Sequence, residues 1–187
     1  MPLPDARADT DTDSDADTES ANADHELLVA IREQDVDRVV ALLHDGADPN
    51  YIEYGYVYSV LSIALWQQAN AVRIATALLD AGADPNRYEG DEYNWAPPIH
   101  FTGRRDLIEL LLKAGADPNA RMHSTDPELC GITPLMGASP ANRQLLLDYG
   151  ADATLIAKDG RSVRDWWRLR DTHTADALCR DICKVTI

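Results

Sequence analysis

LLHDGADPN at 42–50, LLDAGADPN at 78–86, LLKAGADPN at 111–119 and LLDYGADAT at 146–154 are one phrase written four times. Their central glycines, Gly46, Gly82, Gly115 and Gly150, lie 36, 33 and 35 residues apart. A period near 33 residues describes a unit of two helices and a turn, too thin to fold alone and stable only when stacked on its neighbours. The leucine pair opening each phrase is the last core-facing turn of a helix. The glycine that follows supplies the left-handed backbone needed just past a helix end. Asp-Pro in three phrases (Asp48-Pro49, Asp84-Pro85, Asp117-Pro118) removes a donor and sends the chain sideways into a loop. The pattern predicts an all-α solenoid.

The phrase resembles the end of the outer helix in the ankyrin repeat, where "GADPN" leads through a projecting loop to a "TPLHxA" inner helix. The resemblance covers roughly residues 24–187. Its inner-helix starts are degenerate: Thr133-Pro134-Leu135 is followed by Met136, Pro97-Pro98-Ile99-His100 lacks the threonine, and Ser59-Val60-Leu61-Ser62 keeps a hydroxyl and the leucine. In the family, that Thr and His link neighbouring turns, and no unit here keeps both. Residues 25–44 resemble an entry repeat, with Leu27, Leu28 and Ile31 inward, Asp35 capping the second helix, and Val36, Val39, Val40 and Leu43 at helical spacing. Residues 159–167 align with a last repeat, followed by a helix at about 174–185 carrying Leu178, Cys179, Ile182 and Val185. The resemblance implies five helix-pair units over 25–187: two caps and three internal repeats.

The net charge is −15, and residues 1–26 hold nine carboxylates against Arg7. Segment 5–24 is acidic apart from Arg7 and has no large apolar residue, so residues 1–24 are expected to be a disordered acidic tail. The chain shows neither a basic-then-apolar leader nor an apolar run of membrane-spanning length. Three cysteines, Cys130, Cys179 and Cys183, offer no disulfide framework and fit a reducing compartment. A cytoplasmic protein is expected.

Relative to the family spacing, the loop from Asn50 to Ser59 is longer by about one residue, the loop from Asn86 to Pro97 by about three, and the loop from Asn119 to Thr133 by about six. The third and fourth units lose about three or four residues at the inner helix. Insertions in repeat proteins map to loops on one face, often the binding face. Tyr51, Tyr54, Tyr56 and Tyr58 lie in the first loop, and Tyr88, Tyr93 and Trp95 in the second. By the family pattern, Trp66 points to the concave surface. Glu53, Glu89, Asp91 and Glu92 are interleaved with these rings. Tyr and Trp are enriched in binding hot spots, and rings rimmed by carboxylates suit exposed Lys or Arg. The competing reading is local core, in which the loop rings fold back over thin repeats. The candidate partner-binding set is Glu53, Tyr54, Tyr56, Tyr58, Trp66, Tyr88, Glu89, Asp91, Glu92, Tyr93 and Trp95.

Other chemistry reads as structural. His123-Ser124-Thr125-Asp126 carries the letters of a hydrolytic triad, but residues adjacent in one loop do not converge, so a polar loop is expected. Cys179 and Cys183, with His173 before them, fall short of the four ligands of a closed zinc site and suit core packing. Trp166 and Trp167 read as a lid over the stack. The acidic balance disfavours nucleic-acid binding by counterion release. Neither a cofactor, a metal nor an enzymatic activity is expected. The expected function is binding of another protein, a basic one, by a chain that is monomeric when free. The lone acidic repeat domain resembles immunity proteins that neutralise bacterial toxins. A scaffolding or regulatory adaptor in a larger assembly is the alternative.

Overall fold

A computed structural model describes residues 13–55 and 57–172, with side chains described for 22–55 and 57–169. Among the described residues the chain is mostly helical: α1 (Asp13–Glu33), α2 (Val36–His44), α3 (Val60–Leu65), α4 (Ala71–Asp80), α5 (Arg105–Lys113), α6 (Pro134–Gly137), α7 (Pro140–Asp148) and α8 (Val163–Thr172). Helices α1 and α2, α3 and α4, and α6 and α7 pack as sequential pairs, and α5 pairs with a single 3-10 turn, Pro98–His100. Across units, α1 meets α3, α3 meets the 3-10 turn, and that turn meets α6, which meets α8. A second row runs α2, α4, α5, α7. The inner row thins as the inner helices shorten, in line with the residues missing from the third and fourth units. The segment expected to form the final helix, with Cys179 and Cys183, lies outside the described residues.

The core is continuous along both rows. Leu27, Leu28, Ile31, Val39, Leu61, Ile74, Leu78, Leu107, Leu111, Leu135, Met136 and Leu146 are fully buried. Each such side chain contributes about 1.5–3 kcal/mol of transfer free energy. In the first unit the leucine pair is only half-buried, and Val40, expected to face inward, is exposed. Val39 alone takes the central inward position of α2, so Val40 is turned off the apolar stripe. Trp166 is buried and Trp167 half-buried, its indole Nε1 donating to Leu135 O at 2.9 Å.

The four phrases adopt one conformation. In each, the glycine has φ between +88° and +98°. The glycine N–H returns to the carbonyl of the second leucine, and the following alanine N–H to that of the first: Gly82 to Leu79 at 3.0 Å and Ala83 to Leu78 at 2.9 Å. That is the Schellman closure of a helix end. The Asp then accepts from the N–H two residues on, Asn86 to Asp84 at 2.8 Å, shaping the turn that the proline rigidifies.

One expectation is corrected. Residues 13–24 were expected to be disordered, yet they form the first turns of α1. Low apolarity prevents burial but not helix formation, and carboxylates are stabilising near a helix N-terminus. The expected all-α class agrees with a chain that is mostly helical among the described residues, to which a small sheet is added. The loops contain three short strands, β1 (Glu89–Gly90), β2 (Asn94–Ala96) and β3 (His123–Ser124), paired antiparallel in that order.

Candidate functional site: an aromatic surface on the interunit loops

Three successive loops meet at this sheet. Glu89 pairs with Ala96 and Gly90 with Trp95, closing a hairpin in the second loop. Asn94 pairs with Ser124 and Trp95 with His123, so the third loop is ordered against the second. Thr125 N–H adds a bond to Tyr93 O at 2.8 Å, and Ser124 Oγ one to Asn94 Oδ1 at 2.6 Å. The first loop joins through Gly90 N–H to Val57 O at 3.1 Å and through Arg87, whose guanidinium donates to Asn50 O at 3.0 Å. Gly90 has φ +140°, and a Cβ there would lie 1.9 Å from Asn94 O, so the hairpin requires glycine.

The rings occupy two places. Tyr58, Trp66 and Phe101 form an edge-to-face trio with centroids 4.7, 5.4 and 6.3 Å apart. Tyr58 and Phe101 are half-buried, while Trp66, at the C-terminal cap of α3, is exposed. On the sheet, the Trp95 indole stacks on the His123 imidazole with centroids 5.3 Å apart and planes 5° from parallel. Tyr88 meets the other side of the contact, edge to His123 at 5.3 Å, with its hydroxyl donating to Arg121 O at 3.1 Å. Tyr88, Trp95 and Tyr93 are all exposed, Tyr93 at 55%. Tyr54 is completely exposed at the tip of the first loop. Tyr51 packs half-buried against the core, and Tyr56 lies outside the described residues. Tyr51 and Tyr58 are local packing, while Tyr54, Trp66, Tyr88, Tyr93 and Trp95 keep ring surface in solvent.

The carboxylates divide more sharply. Glu53 is turned toward α1, 3.0 Å from His25 and 3.9 Å from Arg32. Asp91 accepts from the N–H groups of Tyr93 and Asn94 at 2.8 and 2.7 Å and so shapes the hairpin tip. Glu92 is exposed and hydrogen-bonds the Tyr93 phenol, which raises that phenol's pKa. Glu89 is corrected from rim to interior, being 3% exposed. One carboxylate oxygen accepts from Ser59 N–H at 2.9 Å and the other from Ser59 Oγ. Its alternation with exposed Tyr88 follows from the strand, whose successive side chains point to opposite faces.

His123 was weighed in the sequence only as part of a hydrolytic string. In the structure it is the ring on which Trp95 and Tyr88 rest. Ser124 and Asp126 are committed to loop bonds, with Asp126 N–H donating to Ser124 Oγ at 3.0 Å and Asp126 accepting from Glu128 N–H at 2.9 Å. His100 donates from Nε2 to Ala120 O at 3.0 Å, tying one unit to the next loop, and burial holds its pKa down at about 4. No group of three or more His, Cys, Asp or Glu among the described residues is placed to hold a metal. No helix among them is long and apolar enough to cross a membrane. No known protein-family model matches the chain.

Proposed function

We propose that the chain is an ankyrin-type repeat solenoid that binds another protein, a basic one, through its interunit loops and neutralises it. The reading is that of a non-enzymatic inhibitor, similar in kind to the immunity proteins that accompany bacterial toxins, acting in the cytoplasm. The observation that carries it is the loop sheet. Three loops are joined by main-chain pairing into one ordered surface, with Tyr88, Tyr93 and Trp95 exposed on it. Preordered loops lose little entropy on binding, and Tyr and Trp bring contact area with few rotatable bonds. Exposed Glu92 and Asp126 lie in the same loops, and the chain as a whole is strongly acidic, which favours encounter with a basic partner.

The test is capture from the native host with the tagged full chain, wild type beside a Tyr54→Ala, Tyr93→Ala, Trp95→Ala variant. One abundant basic partner, lost in the variant, is the expected result. Several partners retained by both forms would reject the neutralising role and the surface together, and would favour an adaptor.

A further inference from the structure

Glu89 is a buried carboxylate that bridges two loops and has no ion-pair partner among the described residues. Its two oxygens hold the main-chain and side-chain donors of Ser59, the residue that caps α3. The next residue, Gly90, donates to Val57 O, so the same stretch of β1 fastens the first loop twice. On the far side, β1 pairs with β2, which carries Trp95 and the stack on His123. Helix α3 carries Trp66 at its other end. Glu89 thus joins the element behind the Tyr58–Trp66–Phe101 trio to the element behind the Tyr88–Trp95–His123 surface.

We propose that Glu89 is a charge-sensitive latch beneath the aromatic loops, held closed against the desolvation cost of its own negative charge and tightened by whatever neutralises that charge.

A carboxylate that accepts two hydrogen bonds is partly compensated, but its burial still opposes ionisation. Burial dominates and raises its pKa, against the pull of the Ser59 bonds, of the Ser62 side chain and of Arg87. Arg87 is the charged group that acts on it, and its guanidinium is engaged at Asn50 O. Asp91, on the same hairpin, is spent on the Tyr93 and Asn94 amides. When the latch opens, Glu89 returns to water and to an ordinary carboxylate pKa. Neutralising the charge therefore favours the closed form, and a proton does this at acid pH. The neutral carboxyl keeps both contacts: its carbonyl accepts from Ser59 N–H, and its hydroxyl donates to Ser59 Oγ. A partner cation brought to the overlying loops would act in the same direction, a consequence that rests on the functional reading above. The latch itself does not depend on that reading.

The test uses the full chain alone, so its failure is separable from failure of the binding surface. Amide hydrogen exchange at Ser59 and Gly90 reports the latch, since Ser59 N–H is held by the Glu89 carboxylate and the N–H of Gly90, the adjoining residue of the same strand, by Val57 O. Amides of Leu111 and Leu146 in the core serve as the global reference. In Glu89→Gln, which is neutral at every pH, Ser59 and Gly90 are expected to exchange severalfold more slowly than wild type at pH 7, in the direction set by the raised pKa of the buried carboxyl. Wild type should approach the variant as acidification protonates the Glu89 carboxyl, with the reference amides moving together in both. Equal or faster exchange in Glu89→Gln at pH 7 would overturn the latch. So would a difference that does not narrow on acidification, or a Glu89→Gln chain that fails to fold.

Discussion

The Asn86 side chain bridges to Asp117 in the following unit, its Oδ1 accepting the Asp117 N–H at 2.7 Å. Its Nδ2 also donates to Gly115 O at 2.9 Å, satisfying a carbonyl that the helix end leaves open. The contact is repeated: Asn50 serves Gly82 O and Asp84 N–H, and Asn119 serves Gly150 O and Asp152 N–H. The fourth phrase has Thr154 at this position, which turns instead to Asp152 of its own phrase. Replacing Asn86 with alanine removes two interunit bonds at once. The expected loss is about 1–3 kcal/mol, measured by urea unfolding, against less than about 0.5 kcal/mol for Thr154→Ala, which joins no two units. Equal effects would mean that the ladder carries no stability.

That ladder also shows how far the sequence could be read. The phrase announced the helix end, the left-handed glycine and the turn, because all three are local and depend on residue type at fixed offsets. The asparagine's role was hidden because both its partners lie in the next phrase. The sheet was less legible still. Glu89-Gly90 and His123-Ser124 are too short for any alternation of apolar and polar residues, so their pairing is decided by the loops they close. Glu89 read as one carboxylate in an acidic, aromatic rim. Only the strand's facing makes it interior while Tyr88 stays in solvent. His123 offered one signal, its place in a loop longer than its counterparts, and the sequence alone gave no reason to seat it against Trp95.

Glycines Gly82 and Gly90 should respond differently to alanine. Both have positive φ, but the space around a Cβ at Gly82 is open, whereas at Gly90 it is filled by the Asn94 and Trp95 backbone. Gly82→Ala should cost about 1 kcal/mol from backbone conformation alone. Gly90→Ala should cost more and disrupt the hairpin, seen as a change in the near-ultraviolet circular dichroism and emission attributable to Trp95. A Gly90→Ala spectrum matching wild type would mean that the hairpin tolerates a side chain there.

The tyrosines separate binding from folding. Tyr54 is completely exposed, so Tyr54→Ala should leave thermal stability within about 0.5 kcal/mol of wild type while weakening capture of the partner. Trp66 packs edge-on against Tyr58 and Phe101, so Trp66→Ala should lower stability by about 1–3 kcal/mol as well. If Tyr54→Ala destabilises the chain as much as Trp66→Ala does, the first loop is held by its tyrosine and is not presenting it.

His100 makes stability fall on the acid side. Its folded pKa is depressed to about 4 from 6.5 by burial, against the opposing bond to Ala120 O. As pH drops below 6.5 the unfolded chain takes up the proton first, while the folded chain resists until about pH 4. The stability this neutral imidazole contributes is therefore present above pH 6.5 and lost progressively down to about pH 4, to a limit on the order of 3 kcal/mol. Glu89 acts with the opposite sign, because burial raises its pKa and the folded chain holds its proton longer as pH rises from the ordinary value of 4.5. Denaturant unfolding between pH 8 and about pH 4 should show wild type losing stability below pH 6.5, and His100→Gln, whose side chain does not titrate, losing less by that amount. Parallel curves for the two proteins would mean that His100 is as readily protonated in the folded chain as in the unfolded one.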